Sequence, residues 1–480
     1  MNHSSIIYIL GKLLQIEALI MLLPLFVSLI YREDDFLPFL ITIALTGAVG
    51  TAISFKKPGK ASFYAREGFV MVALGWIVMS VMGAVPFVLN GDIPNFTDAF
   101  FETVSGFTTT GSSILSDVES LSHASQFWRS LTHWIGGMGV FVFMLAVMPM
   151  AGAQNMHLMR SESPGPEVGK LVPRLKDTAK ILYRLYFALT VLMFIILLIT
   201  GMDGFDAVTV TFGTAGTGGF AIRNDSIASY SSLQQIIISV FMILFGFNFN
   251  FFYFLTFGKS LFDALKMEEI RVYLLIIAGS VVVIMINARA CFESLFDAFR
   301  KSLFQVASII TTTGFATADF DLWPTLSKTV LVMLMFIGAC AGSTGGGFKV
   351  SRVIILFKAF QKELEHFIHP RMVRNVHMNG RALKEETVDG VKVYLGAYII
   401  IFVVSVLIVG YENHDLITNF TAVAATMNNI GPGLSMVGPT CNFAFFSPVS
   451  KYVLMFDMLA GRLELYPMLL LFAPTTWRSK

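Results

Sequence analysis

Four short segments of this 480-residue chain each end in a glycine after small or polar residues, and each follows a short apolar stretch. Backbone carbonyl oxygens can replace the water around a monovalent cation when several of them face one axis. Glycine favours this arrangement because it adopts backbone conformations that a side chain would hinder. The segments therefore predict an ion filter built from four loops. Their residues are Thr108, Thr109, Thr110 and Gly111; Ala215, Gly216, Thr217 and Gly218; Thr311, Thr312, Thr313 and Gly314; and Asn428, Asn429, Ile430 and Gly431.

The four copies differ in how clearly they show this pattern. The first and third share Thr-Thr-Thr-Gly and a serine three residues before it, whereas the second has one threonine and the fourth has Asn-Asn-Ile-Gly. A single Thr-Thr-Thr-Gly is more often an ordinary loop than a filter. Four copies spaced by about 100 residues favour the filter, and the fourth copy predicts a ring that is not truly four-fold.

A glycine-rich stretch from Gly342 to Lys349 contains the consecutive glycines Gly345, Gly346 and Gly347. Three glycines in a row should interrupt a helix, and the spacing does not match a phosphate-binding loop. Two interpretations remain equally open: a flexible helix end near the cytoplasm, or a hinged gate below the filter. The predicted gate residues are Gly342, Gly345, Gly346, Gly347, Lys349 and Arg462.

Arg462 lies near the middle of the last predicted span. An ionisable residue at that depth should face protein or water instead of lipid, which makes it a functional candidate. On the pore axis it would place a fixed positive charge in the path of cations and limit their flux. The alternative is a buried structural pair with Glu464, Asp457 or another acid.

Three other ionisable residues lie near the first filter segment. Arg129 and His133 are predicted near the outer end of a span, where anchoring at the membrane interface is the favoured role. Glu102 lies within the apolar stretch before Thr108, where it either draws cations to the mouth or accepts hydrogen bonds.

The elements that position these residues are those of a membrane protein. The chain is 55% hydrophobic and only 14% charged, with a mean hydropathy of +0.70, whereas soluble domains carry about 25% charged residues. Ten apolar runs are long enough to cross a bilayer, at residues 6–31, 37–55, 69–91, 127–150, 181–201, 233–257, 271–288, 327–347, 393–411 and 449–473. The shorter stretches 96–107, 205–214, 292–310 and 416–427 are predicted to be re-entrant half-helices whose negative C-terminal ends face the filter.

These elements repeat. The predicted fold is an all-α membrane protein with four tandem repeats of helix, re-entrant pore helix and helix around a pseudo-four-fold pore, preceded by two extra transmembrane helices. The extra helices occupy residues 1–67. The repeats occupy 68–178, 179–268, 269–390, which includes the gating loop and a long cytoplasmic segment, and 391–480.

Lysine and arginine are concentrated in the loops on one side of this arrangement. The positive-inside rule makes that side cytoplasmic, with both termini cytoplasmic and the filter loops facing outward. The residues are Lys56, Lys57, Lys60, Arg66, Arg160, Lys170, Arg174, Lys176, Lys180, Lys259, Lys266, Arg271, Lys349, Arg352, Lys358, Lys362, Arg371, Arg374, Arg381, Lys384, Lys392, Arg478 and Lys480.

Several classes of function are disfavoured. The sequence shows no nucleophile–base set, no paired carboxylates and no metal-ligand cluster, so neither an enzyme nor a resident cofactor is predicted. The basic stretches 56–67 and 349–392 are explained by topology, so nucleic-acid binding is not predicted. A coupled transporter remains the rival. Such proteins usually have inverted repeats and mid-span acids, whereas these repeats are parallel and no mid-span acid is predicted.

Together these motifs resemble the membrane subunit of Trk-type bacterial potassium uptake systems, the TrkH/TrkG group of the Trk/Ktr/HKT superfamily. The resemblance covers the whole chain. It rests on the four filter segments, on Trp128 to Gly139, on Gly345 to Lys349 and on Gly461 to Glu464.

The resemblance implies a gated, potassium-selective, channel-like pore in the bacterial inner membrane, with potassium symport coupled to protons or sodium as the alternative. It also implies weaker discrimination against sodium, a homodimer with one pore per subunit, contact with membrane lipid, and a cytoplasmic TrkA-type ring that binds the nucleotide. The glycines ending the four segments match the filter, Gly345 to Gly347 match the gating loop, and Arg462 matches a pore-facing arginine. The implied potassium ligands are Thr109, Thr110, Gly216, Thr217, Thr312, Thr313, Asn429 and Ile430.

Overall fold

The computed structural model describes residues 3–56, 65–139, 175–256, 265–371 and 374–477. The helices in these ranges are α1 (His3–Ile20), α2 (Leu22–Tyr31), α3 (Phe36–Ile53), α4 (Ala65–Leu89), α5 (Phe96–Phe107), α6 (His123–Gly137), α7 (Leu175–Ile199), α8 (Gly204–Gly216), α9 (Ser232–Phe245), α10 (Asn250–Thr256), α11 (Glu268–Asn287), α12 (Leu295–Ile310), α13 (Thr325–Met335), α14 (Val350–Ile368), α15 (Glu385–Gly410), α16 (Leu416–Met427), α17 (Pro448–Arg462), α18 (Leu465–Phe472) and α19 (Pro474–Trp477). The described strands are β1 (His377–Met378) and β2 (Arg381–Ala382), which form an antiparallel hairpin. The predicted all-α class is confirmed.

The N-terminal helices form a hairpin beside the repeats. Helices α1 and α2 together make one apolar stretch of 29 residues, and α3 returns alongside α1. A side chain at Gly11 would overlap the backbone of Gly50 on α3, so the two helices approach closely because both contact residues are glycine. Helix α1 also packs against α4, which joins the hairpin to the first repeat.

Each repeat begins with a long apolar helix and continues with a short half-helix. The half-helices α5, α8, α12 and α16 are capped at their N-termini by side chains that accept backbone hydrogen bonds. Such caps satisfy donors that a helix start leaves without an intrahelical partner. The capping residues are Asn95, Asp203, Ser294 and Asp415.

The second helix is broken in the second, third and fourth repeats, whereas the sequence predicted continuous spans apart from an interruption at the glycines 345–347. Helices α9 and α10 meet at a bend of 95°, residues 336–349 separate α13 from α14, and only Leu463 and Glu464 separate α17 from α18. In the first repeat α6 ends at Gly137, and residues 140–150 of the predicted span lie outside the described ranges. Within those ranges six helices alone are long and apolar enough to cross a membrane, or seven if α9 and α10 count as one span.

The repeats pack in a cycle around one axis. Each second helix contacts the half-helix of the next repeat: α6 lies on α8, α9 on α12, α13 on α16, and α17 returns to α5. This order brings the C-terminal ends of all four half-helices together. The predicted repeat boundaries fall one to six residues after the starts of α4, α7, α11 and α15. Eight of the 23 lysines and arginines used for orientation, at 57–64, 140–174, 257–264 and 478–480, lie outside the described residues.

Candidate functional site

The loops that follow the half-helices share one backbone motif. In three of them a residue with positive φ is followed, two positions later, by a glycine with positive φ. The pairs are Thr109 (55°) and Gly111 (80°), Thr312 (60°) and Gly314 (85°), and Asn429 (55°) and Gly431 (101°). Glycine is suited to the second of these positions because it adopts positive φ without the steric cost of a side chain.

The second loop has the same motif one residue later than the sequence pattern predicted. Its positive-φ residues are Thr217 (52°) and Gly219 (80°). The N–H of Gly218 bonds to the carbonyl five residues earlier, as the N–H of Thr110 does in the first loop. The predicted set Ala215–Gly218 is therefore corrected to Gly216–Gly219, because α8 runs on through Ala215 and ends at Gly216.

The four loops close into a ring. The glycine of each loop packs against the next loop. A Cβ placed on it would meet the carbonyl oxygen of the residue just before the neighbouring loop's glycine, and for Gly431 this distance to the Thr110 oxygen is 2.9 Å. The neighbours run in order, from Gly111 to Gly218, from Gly219 to Thr313, from Gly314 to Ile430, and from Gly431 to Thr110. The first and fourth loops are also joined by side chains: Asn429 Nδ2 donates to Thr110 Oγ1 at 2.9 Å, and Ser112 Oγ donates to the Gly431 carbonyl at 3.0 Å.

A cavity of about 130 Å³ lies over this ring and is lined by all four ring glycines, Gly111, Gly219, Gly314 and Gly431. Its other walls contain polar and apolar residues in nearly equal number, most of them from loops. Two arginines line it, and each has an acidic partner outside the lining, Glu102 for Arg129 at 2.8 Å and Asp206 for Arg223 at 2.6 Å. The arginine charges at this mouth are therefore balanced by neighbouring carboxylates.

Threonine hydroxyls brace two of the loops. Thr108 Oγ1 donates to the carbonyl of Val104 on its own half-helix at 2.6 Å, so the 2.8 Å bond between Thr108 and Thr110 uses the proton of Thr110. The third loop repeats the pattern, with a bond of 2.7 Å between Thr311 and Thr313. These four hydroxyls hold the loop shape, which leaves the backbone carbonyls as the principal candidate ligands.

The glycine-rich stretch lies directly against the third and fourth loops. The N–H of Gly346 donates to Thr312 Oγ1 at 2.7 Å, and a Cβ on Gly346 would lie 2.6 Å from the side-chain oxygen of Asn429. The stretch is held from other sides as well, since Glu269 accepts the N–H of Ala341 at 2.7 Å and Lys349 bonds to the Gly345 carbonyl. The predicted helix interruption is confirmed, and it spans residues 336–349.

Arg462 connects this stretch to the first repeat. Its guanidinium donates to the carbonyls of Thr344 at 2.5 Å, Gly136 at 2.5 Å and Gly137 at 2.6 Å, and the residue is 7% exposed. Glu464, one of the acids that the sequence offered as a partner, also forms an ion pair with Arg352, and Asp457 accepts from Ser405 at 2.8 Å. The carbonyl bonds of Arg462 join the first repeat to the glycine-rich stretch of the third.

Two side chains predicted at the membrane interface are instead buried. Arg129 is 2% exposed and pairs with Glu102, which also accepts the N–H of Ile114 at 3.0 Å. His133 has no exposed surface. The interfacial role predicted for Arg129 and His133 is wrong, because the short helix α6 lies between half-helices α5 and α8. For Glu102 the hydrogen-bonding alternative is the one observed.

Acidic residues do occur inside the apolar helices. Glu17 on α1 is 1% exposed, and Asp457 on α17 is fully buried. The expectation that no acid lies in the middle of a span is therefore wrong for Glu17, which is near the middle of the predicted span 6–31. Neither residue lines the cavity over the ring, so neither belongs to the candidate ion site.

Comparisons with known proteins agree with this architecture. A family model described as the cation transport protein TrkH matches residues 37–479. The Trk system potassium uptake protein TrkH of Salmonella typhimurium strain LT2 is 38% identical over 486 residues, with all of both chains covered. The TrkG protein of Escherichia coli K12 is 33% identical over 487 residues, covering 100% of this chain and 99% of TrkG.

A solved structure is similar over the same extent. The crystal structure of the potassium transporter TrkH from Vibrio parahaemolyticus matches with a TM-score of 0.89 and 36% identity, and covers 100% of each chain. Family membership and the apolar helices make the chain a multi-pass membrane protein. The predicted resemblance is confirmed, and the chain belongs to the TrkH family of cation transport proteins.

Proposed function

We propose that this chain takes up potassium across the bacterial inner membrane through a single gated pore. The observation that carries the proposal is the cavity lined by four glycines, one from each repeat, at the closed ring of loops. Such a ring offers backbone oxygens in place of the water around a cation. The relatives named above are described as potassium uptake or potassium transport proteins.

The half-helices favour a cation at this ring. All four end next to a filter loop, so the partial negative charges of their C-termini converge there. With the register corrected, the proposed ligands are the carbonyls at the second and third positions of each loop. They belong to Thr109, Thr110, Thr217, Gly218, Thr312, Thr313, Asn429 and Ile430.

The gate of this pore comprises residues 336–349 and Arg462. The stretch contacts filter residues Thr312 and Asn429, and Arg462 supports it through the Thr344 carbonyl. A positively charged group at the inner side of the ring opposes cation passage, and moving the stretch would change both the path width and the position of that charge. Gly342 and Gly347, with φ of 69° and 74°, supply backbone positions at which the stretch can turn.

The assembled system is proposed to contain two copies of this chain and a cytoplasmic ring of TrkA-type subunits that binds the nucleotide. Both termini and the basic loops face the cytoplasm, and sodium passes less readily than potassium. The relatives' names describe parts of a Trk system, which supports a multi-component assembly.

Ion flux through purified protein in lipid vesicles tests the proposal. We expect a reversal potential that follows the potassium gradient and does not move when pH or the sodium gradient is changed. A reversal potential that shifts with the proton or sodium gradient at a fixed ratio would instead establish coupled symport. Adding a candidate regulatory ring, with and without nucleotide, should change the flux and leave the reversal potential unchanged.

A further inference from the structure

The second filter loop lacks side chains that the other three loops have. At its first and third positions stand Gly216 and Gly218. The corresponding pairs are Thr108 and Thr110, Thr311 and Thr313, and Asn428 and Ile430. The threonine pairs brace their loops by hydrogen bonds, and Asn428 Nδ2 bonds to the Ala424 carbonyl of its own half-helix at 2.9 Å. The second loop must therefore be braced by something else.

His133 of the first repeat occupies the space that these missing side chains would need. A Cβ on Gly218 would overlap the imidazole ring, and a Cβ on Gly216 would overlap the backbone carbonyl of His133. The ring is fully buried and packs against Phe220, with ring centroids 4.2 Å apart. The two glycines and the histidine thus form one packing unit.

His133 also bonds to the backbone on both sides of this unit. Its Nδ1 lies 2.7 Å from the carbonyl oxygen of Gly106, and its Nε2 lies 3.1 Å from the N–H of Phe220. A carbonyl only accepts and an N–H only donates, so the proton is on Nδ1 and the lone pair of Nε2 accepts. Gly106 lies two residues before the first filter loop and Phe220 directly follows Gly219, so one imidazole bridges two neighbouring loops.

We propose that His133 is a positioning residue that sets the shape of the second filter loop and thereby the discrimination between potassium and sodium. This inference rests on the proposed function. The ring fixes the end of Gly216–Gly219 through the N–H of Phe220, and it fills the volume beside Gly218 that a threonine or isoleucine side chain fills elsewhere. Discrimination depends on where the carbonyls of this loop stand, so it should depend on both the size and the bonding of residue 133.

Three variants separate bonding from bulk. Glutamine at position 133 has an amide N–H to donate to Gly106 and an oxygen to accept from Phe220, whereas leucine has similar bulk and neither group. We expect His133→Gln to keep the native potassium-to-sodium permeability ratio and His133→Leu to lower it about tenfold or more. His123→Gln, at the outer end of the same helix, controls for loss of a histidine and should leave the ratio unchanged. A leucine variant with the native ratio, or a glutamine variant as impaired as the leucine one, would overturn the proposal.

A double-mutant cycle tests the packing unit even if the leucine variant does not fold. Gly218→Ala alone should lower the permeability ratio because the added methyl group meets the ring. In a His133→Ala background the same change should have little further effect, since the ring is gone. Additive effects of the two changes would contradict the packing unit. If the native protein shows no potassium-selective flux, the proposed function is refuted. If the native protein is selective but the effects of the two substitutions are additive, only the role of His133 is refuted.

Discussion

Replacing Gly219 by alanine tests both the corrected register and the ring. Gly219 has a φ of 80°, and its Cβ would overlap the carbonyl oxygen of Thr313 in the third loop. Gly218, which the sequence pattern predicted for this role, is not among the glycines with positive φ. Alanine at 219 should therefore displace a proposed potassium ligand, in addition to straining its own backbone.

The size of the effect follows from two separate costs. An alanine held in the left-handed region costs about 1–2 kcal/mol, and inserting a methyl group into a filled site costs about 1–3 kcal/mol. Gly201→Ala is the matched control, because its φ is 82° and no described heavy atom lies within 4 Å of the added Cβ. The control incurs the first cost alone, so the difference between the variants measures the ring contact, at about 1–3 kcal/mol.

The assay is the potassium-to-sodium permeability ratio in vesicles, measured beside the thermal unfolding of each purified variant. A coupling of about 1–3 kcal/mol corresponds to roughly 5- to 150-fold, so Gly219→Ala should lower the ratio at least about fivefold. Gly201→Ala should lose some thermal stability and keep the native ratio. The reasoning fails if Gly219→Ala retains native selectivity while folded, or if both variants lose selectivity equally.

Arg462→Met removes a charged donor to three carbonyls, whose bonds are worth about 1.5–3 kcal/mol each, and should raise potassium flux at fixed driving force. The flux of Arg462→Lys should stay nearer the native value. A lower flux through a folded methionine variant would assign a structural role to Arg462. Gly347→Ala should alter gating without changing the permeability ratio, since its Cβ makes only ordinary van der Waals contacts. Gly346→Ala presses on the fourth filter loop and should change both gating and the ratio. Single-channel recordings that give the same ratio for both variants would contradict this difference. Glu102→Gln leaves its arginine partner buried without an anion and should lower the unfolding free energy by about 3–5 kcal/mol. The exposed ion pair of Glu385 serves as the control, and Glu385→Gln should lower the unfolding free energy by about 0–1 kcal/mol. Equal losses of unfolding free energy in the two variants would argue against a buried pair at Glu102.

The repeated part of the architecture was predictable because its signals are local. Small or polar residues before a glycine recur, each set after a short apolar stretch, and the three glycines at Gly345 to Gly347 interrupt a helix by propensity alone. The register of the second loop was not predictable in this way. Gly216, Gly218 and Gly219 offer alternative alignments, and the end of α8 is fixed by contact with His133 from another repeat.

Other features depended on tertiary packing that sequence does not display. The break after α9 lies in an apolar run, where a side chain on Gly246 would meet Tyr273 and Thr311 of the third repeat. Hydropathy placed Arg129 near the membrane surface because it assumes that a helix is surrounded by lipid, whereas α6 is enclosed by two half-helices. Glu17 was missed for the related reason that one acid hardly changes the mean hydropathy of a long apolar run.

The bonds that complete the ring join residues far apart in the chain. Asn429 bonds to Thr110 and Ser112 bonds to Gly431, and each pair is separated by 319 positions. A chain synthesised from its N-terminus makes the first loop long before the fourth repeat exists to meet it. A nascent or truncated chain without residues 416–462 has at most three sides of the ring. If the proposed pore conducts potassium, selective conduction is expected only after the last repeat is inserted.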